Sequence, residues 1–411
     1  MSTPRPHTAR AGDCDDRARH RVLHAALLVG AAVLALVGVR ALGARADEST
    51  GTWTGAVETR GNYYWERSTR VYAPAVHGEL ASPDGVRLSV DYLVDAITSA
   101  SVAAGVNADV RFTEIRHDVG AGVGYEFSLG DDAKFLSTLR LRWSEEPDYT
   151  SRAVSLSNQL ALDDRSTLLT LNASFLFDDV RQRVMGGPRM GVYDVGDRAG
   201  LLQDDAWDVD FNVASLTLGL TQTISPTVLL DVGYDFAQLD GYQNNVYRQV
   251  PVAGTPRPEN HPLARTRHAL YARLAWYVPA SRTSLHALLR GYLDSWDIAA
   301  ITPEARLYQE ISSLAQLRLR YRFYAQSRAY FYRADSTDYG SDDVFVSADP
   351  KMSAFRSHLA GAQLSLGLDF LEGSGLDFAR GGSVDFGIDY LWQTSRFGNG
   401  VIAQMGLRVP F

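Results

Sequence analysis

The residues best placed to do chemistry sit near the carboxyl-terminal third of the chain. Arg318, Arg320 and Arg322 recur at every second position between Leu317, Leu319, Tyr321 and Phe323, and Glu304, Arg306, Tyr308 and Glu310 keep the same spacing just upstream. In an extended chain a spacing of two puts each set on a single face. A three-residue turn between the two runs predicts Glu304 opposite Arg322 and Tyr308 opposite Arg318. Arg140, Arg142, His286 and Arg290, and Asp231, Asp235, Asp369, Asp385 and Asp389, stand in the same alternating relation to apolar neighbours. Opposed basic and acidic walls of this kind orient ions and polar solutes in a water-filled passage. The alternative is that the charges neutralise one another in a filled or plugged interior.

Covalent chemistry finds little support. Beyond residue 46 the chain has six histidines, His77, His117, His261, His268, His286 and His358, with no His-Glu-x-x-His arrangement. Neither a Gly-x-Ser-x-Gly elbow nor a phosphate-cradling Gly-x-x-x-x-Gly-Lys loop occurs. His117-Asp118 is half of a hydrolytic dyad at most, so a barrel hydrolase is the weakest reading. The acidic groups Asp204, Asp205, Asp208 and Asp210, and Asp335, Asp338, Asp342 and Asp343, suit calcium or lipopolysaccharide bridging in type but lack the EF-hand spacing. No enzyme activity, cofactor or metal is expected. The one cysteine, Cys14, excludes a disulfide framework and a cysteine zinc site. A net charge of -8 without a basic block excludes nucleic acid.

The elements that must carry these residues are strands. Val86 to Val94, Val119 to Leu129, Phe135 to Trp143, Ala214 to Leu220, Val228 to Phe236, Leu270 to Val278, Leu285 to Leu289, Leu317 to Phe323, Leu364 to Phe370, Val384 to Trp392 and Val401 to Phe411 all alternate apolar with polar or small residues. The pattern predicts an all-β chain of about 16 strands, between 14 and 18, with no amphipathic helix of ordinary length after residue 46. A mean hydropathy of -0.15 excludes a polytopic helical membrane protein. It does not exclude a barrel, in which a lipid-facing half is averaged with a water-facing half.

The connections alternate between short turns and longer loops. The longest, near 178–208, 240–267 and 325–355, all fall in one phase. An antiparallel up-and-down transmembrane barrel predicts such sorting, with long loops at the extracellular rim; a soluble sandwich does not. Trp143, Trp276, Tyr277, Tyr390 and Trp392 stand near strand ends, as interfacial girdles require. Met405, Leu407, Val409 and the terminal Phe411 form an alternating end that resembles the carboxyl-terminal assembly signal of bacterial outer-membrane barrels. Pro410 fits there only where its missing donor is not needed.

At the other end, Arg17, Arg19 and Arg21 precede an apolar run from Val22 to Val39, and Ala44 and Ala46 occupy the positions a signal peptidase reads. Residues 1–46 are therefore expected to be a cleaved signal peptide, the alternative being an uncleaved anchor helix. Cleavage removes seven arginines and three aspartates and takes the formal charge from -8 to -12. Residues 47–411 are expected to form a single outer-membrane barrel domain.

Val90-Asp91-Tyr92-Leu93-Val94-Asp95-Ala96-Ile97-Thr98-Ser99-Ala100-Ser101, Tyr321-Arg322-Phe323-Tyr324-Ala325-Gln326-Ser327-Arg328-Ala329-Tyr330-Phe331-Tyr332 and Ser347-Ala348-Asp349-Pro350 resemble the outer-membrane barrel family named domain of unknown function 3570. The resemblance spans nearly all of the chain after residue 46. It implies architecture and location and brings no chemistry with it. The expected partners are outer-membrane lipid, lipopolysaccharide and the barrel-assembly machinery. The expected function is a porin-like channel or transport scaffold for ions or small polar solutes. The alternative is a non-conducting barrel that holds an exported redox protein or a periplasmic lipoprotein.

Overall fold

A computed structural model describes residues 52–67, 69–99, 112–163, 166–183, 206–245, 248–334 and 339–411. The expected signal segment with Ala44 and Ala46, together with Asp204, Asp205, Asp335 and Asp338, lies outside the described residues.

Period-two alternation leaves each strand with one apolar and one polar face, and closing the sheet gives both faces a home while abolishing unpaired edges. The chain contains β1 (Thr54–Glu66), β2 (Thr69–Ala81), β3 (Val86–Ser99), β4 (Phe112–Ser128), β5 (Lys134–Glu146), β6 (Tyr149–Leu162), β7 (Thr167–Arg183), β8 (Ala206–Ser225) and β9 (Val228–Gly241). A small hairpin follows, β10 (Gln249–Val252) with β11 (Thr255–Pro258). Then come β12 (Ala264–Val278), β13 (Thr283–Asp294), β14 (Ala299–Ser312), β15 (Ala315–Gln326), β16 (Phe355–Gly367), β17 (Ser383–Gln393) and β18 (Gly400–Pro410). All but the hairpin form one closed antiparallel barrel of 16 strands, each paired with its neighbour in sequence, β9 with β12, and β1 with β18.

The outer face is apolar. Leu270, Leu293, Ile388, Met405, Val90 and Leu141 are each more than half exposed, as are Phe175 and Phe177. So much exposed apolar surface is stable only against hydrocarbon or a partner. No helix among the described residues is long and apolar enough to cross a membrane.

One rim carries tight turns. At the β2–β3 turn Gly85, at φ +92°, donates to Ser82 O and accepts from Glu126 N, a left-handed position where a Cβ would meet the Glu126 carbonyl. The opposite rim carries the described residues of 242–263, which hold the hairpin, and those of 327–354. The strand expected over Leu364 to Phe370 ends earlier, at Gly367, because Asp369 starts a single helical turn and Gly373 adopts φ +74°. Asp369 thus leaves the wall, and its carboxylate accepts from Gly381 N at 3.0 Å.

At the carboxyl terminus Gly55 and Phe411 exchange both backbone hydrogen bonds, at 2.7 and 2.8 Å. Pro410, one residue earlier, therefore points its donor-less nitrogen away from β1. Val409 is buried against Leu368 and Ala379, and Phe411 packs on Val57 and Val76, while Met405 stays exposed on the belt beside Leu407.

Candidate functional site: the charged interior

The polar face lines the inside of the barrel, and its charges are mostly paired across strands. Arg320 on β15 reaches Asp389 on β17 with two bonds of 2.5 Å, Nε to Oδ1 and Nη2 to Oδ2. The two residues stand either side of Gly361 on β16, in the register Arg320–Gly361–Asp389. Any Cβ at Gly361 would collide with the Asp389 carboxylate, so the glycine is the floor over which the pair lies. The same device recurs at Gly120, where a Cβ would come within 3.0 Å of Asp91 and 3.2 Å of Arg140. Asp91 there bonds both Arg140 and His77, the latter at 2.6 Å.

Further along the wall Arg142 holds Asp118, Arg116 holds Asp95, Arg273 holds Asp231 at 3.1 Å, and Arg290 lies 3.8 Å from Asp235. Asp231 and Asp235 also accept from the hydroxyls of Thr221 and Thr217. Among the described residues Asp385 pairs with no arginine; Ser365 and Gln363 donate to it. The hairpin register places Glu304 opposite Arg322 and Tyr308 opposite Arg318, yet Glu304 pairs at 2.5 Å with Arg306 on its own strand. The arginine two positions along the same face takes the carboxylate in place of the one across the turn. Arg318 and Arg322 make no ion pair among the described residues, and Arg318 Nε has no hydrogen-bond partner. Glu310 lies exposed near the strand end, likewise without an ion pair.

At the long-loop rim the interior widens into a vestibule of about 890 Å³. Glu66, Glu114, Glu146, Asp148 and Asp349 line it together with Arg248, Arg265, Arg267 and Lys351. Two more cavities with charged residues in their linings lie along the inner face of β1–β5. One, of about 410 Å³, is lined by Glu58, Arg60, Asp118 and Arg142; the other, of about 520 Å³, by Glu79, Arg87, Ser89 and Arg408; both touch His77. The vestibule residues escaped the sequence reading because they sit at strand ends and in turns, where alternation is broken. The Pro147 between Glu146 and Asp148 is the one signal that a tight turn brings carboxylates together there.

The described residues of 242–263 and 327–354 pack on each other as a cap. Trp296, Ile298, Phe331, Tyr332 and Met352 make one apolar cluster, and Val250, Val252, Tyr339 and Val346 another. The aromatic run at Tyr330 to Tyr332 thus belongs to the cap. Arg265 lies over the Trp296 ring at 4.1 Å while bonding Asp294. Buried Arg248 bridges Glu259 at 3.3 Å and Asp349 at 3.0 Å. His261 Nε2 is 2.9 Å from the hydroxyl of fully buried Ser347, which donates to Glu259 at 3.0 Å. This is no catalytic triad, because serine and carboxylate share the Nε2 side and Nδ1 bonds the Gln243 carbonyl at 3.1 Å. Burial pushes the His261 pKa below its ordinary value, against the pull of Glu259.

His117 and Asp118 face opposite sides of the wall, so they form no dyad: Asp118 meets Arg142 inside and His117 meets Tyr92 outside. That outer contact recurs. Tyr92–His117, Tyr234–His268 and Tyr321–His358 each join a tyrosine hydroxyl to Nδ1 of a histidine on the next strand, at 2.9, 2.7 and 2.7 Å. Each histidine pairs with the residue one short of the end of the following strand, Glu145, Leu293 or Trp392, so the three stand at one level below the long-loop rim.

Residues 111–408 match the family model described as Protein of unknown function (DUF3570). No curated protein matches the sequence. Similar solved structures include the siderophore receptor PirA from Acinetobacter baumannii, 9% identical with a TM-score of 0.43 over 84% of this chain and 54% of that one. A mutant of the ferric enterobactin receptor PfeA from Pseudomonas aeruginosa is 8% identical, with a TM-score of 0.45 over 84% and 54%. Pseudomonas aeruginosa OprD is 9% identical, with a TM-score of 0.40 over 90% and 97%. The chain spans about half the length of the two receptors.

Proposed function

Starting from a chain that belongs to the DUF3570 family, we propose that it is a porin-like channel of the bacterial outer membrane, passing ions or small polar solutes along a charged inner wall. The observation that carries the reading is the set of three cavities with charged residues in their linings along the inner wall, from the vestibule to the tight-turn rim. A barrel of sixteen strands leaves room for water, and charges held in pairs across it set a local field without filling the bore. The apolar belt and sheet closure support the membrane location.

In this reading Arg318 and Arg322 supply unneutralised positive charge to the path. Arg320, Asp389, Arg140, Arg142, Asp231, Asp235, Glu304 and Arg306 supply local dipoles, Asp385 a hydrogen-bonded carboxylate and Glu310 charge at the mouth. Planar-bilayer recording of the refolded barrel tests it. Stepwise conductance supports the channel, and its absence both in the intact chain and in one lacking 327–354 defeats it.

The cap favours a second reading, a scaffold for an exported partner such as a redox protein or lipoprotein. Leu263 and Val344 on it are 62% and 68% exposed. A non-conducting barrel that co-purifies with a stoichiometric protein would select that reading.

A further inference from the structure

We propose that Glu114, Glu146 and Asp148 form a calcium site at the long-loop rim. Glu146 ends β5, Asp148 is the second residue of the two-residue β5–β6 connection, and Glu114 stands on the adjoining strand β4. The three carboxylates place one oxygen each within 4.8 Å of the others. Oxygens bound to one Ca²⁺ at about 2.4 Å lie up to about 4.8 Å apart, so the three carboxylates are close enough to share one ion, with side-chain rotation closing the group on it.

The second observation is Asp148 itself. The residue is only 7% exposed, and its carboxylate makes no hydrogen bond or ion pair among the described residues, yet it points into this cluster. A buried carboxylate next to two others is costly unless a cation joins them. Arg116, whose charge acts on Glu146, is already held by Asp95.

The donor set selects the ion. All three ligands are hard oxygens with no histidine or cysteine among them, which disfavours zinc and copper. Magnesium holds on to most of its water and takes one or two carboxylates, whereas calcium gathers more carboxylate oxygens in a flexible geometry and completes its shell with water from the vestibule. A bound ion would tie the β4 end to the β5–β6 turn and lower the negative charge on that side of the mouth. This goes beyond the channel reading and does not depend on it.

The test uses the refolded full barrel in detergent, stripped with a chelator, with CaCl₂ titrated by calorimetry and Tb³⁺ emission read through the neighbouring Tyr149. The expected result is one saturable site, with affinity reduced at least tenfold in Asp148→Asn combined with Glu146→Gln, while the variant retains heat-modifiable gel migration. Absence of saturable binding in the unmodified protein, or equal binding in the folded variant, overturns the site. Should the double variant not fold, the unmodified barrel decides alone. Its urea midpoint must rise with CaCl₂ and not with equal ionic strength of NaCl, and a midpoint that ignores calcium overturns the proposal.

Discussion

The Arg320–Asp389 pair should behave as a structural tie of the barrel wall, and a double-mutant cycle measures it. Asp389 is 3% exposed at its side chain and Arg320 20%, and the contact is two-pronged. With charge centres about 4 Å apart at an effective dielectric near 20, the attraction is about 4 kcal/mol. Desolvation takes back part of that, and the wet side of the guanidinium takes more, leaving a coupling of about 2 kcal/mol, or roughly thirtyfold in the unfolding equilibrium. Asp389→Asn alone should cost about 3 kcal/mol, because it strands a largely buried arginine. The assay is urea unfolding and refolding in phospholipid vesicles, read by tryptophan fluorescence, for the parent, Arg320→Gln, Asp389→Asn and the double variant. Arg60 and Glu58 are an internal control: their side chains are 57% and 34% exposed, and their coupling should not exceed about 0.5 kcal/mol. A coupling for Arg320–Asp389 no larger than that of the control would refute the reasoning.

Other perturbations follow the same geometry. Gly361→Val should unseat the Arg320–Asp389 pair and cost about 2 kcal/mol, but much less when introduced into the Arg320→Gln/Asp389→Asn background, a non-additivity that the same unfolding curves report. Arg318→Glu with Arg322→Glu should shift the zero-current potential in a salt gradient toward cation preference, whereas the paired Arg142→Gln should change it less. The cap should loosen in acid. The folded-state pKa of His261 is depressed, so its contribution is complete above the unfolded value of about 6.5 and fades as pH falls through the lower folded value. Proteolysis within 242–263 and 327–354 should therefore accelerate at pH 5 relative to pH 7.5, and His261→Gln should flatten that difference.

Much of the barrel was legible because its strands meet two solvents at once. β12, Ala264–Val278, sets Leu270, Leu274 and Trp276 against Arg267, Tyr271 and Arg273, and no helix can reproduce that spacing. β1 and β2 were not read from the sequence, since Thr59, Gly61, Pro74 and Gly78 interrupt their outer faces. Those strands become visible only through their pairing with β18 and β3. Inner-wall positions were readable by parity; partnerships were not. Nothing local in Arg320 points to Asp389, 69 residues on, because the contact needs a glycine on the strand between them. The vestibule and cap were harder still. Arg248, Glu259, His261, Ser347 and Asp349 meet through loops whose paths follow tertiary packing rather than any period.

The three Tyr–His pairs on the outer wall carry a mechanical consequence. In barrel order they fall at strands three and four, nine and ten, and thirteen and fourteen, spread around the circumference at a common level. In a bilayer each pair is content at the headgroup boundary and costly in hydrocarbon. A single such pair would resist sinking but leave the cylinder free to lean. Three together define a plane, so that any lean drives at least one of them downward: the barrel carries its own waterline and is levelled as well as anchored.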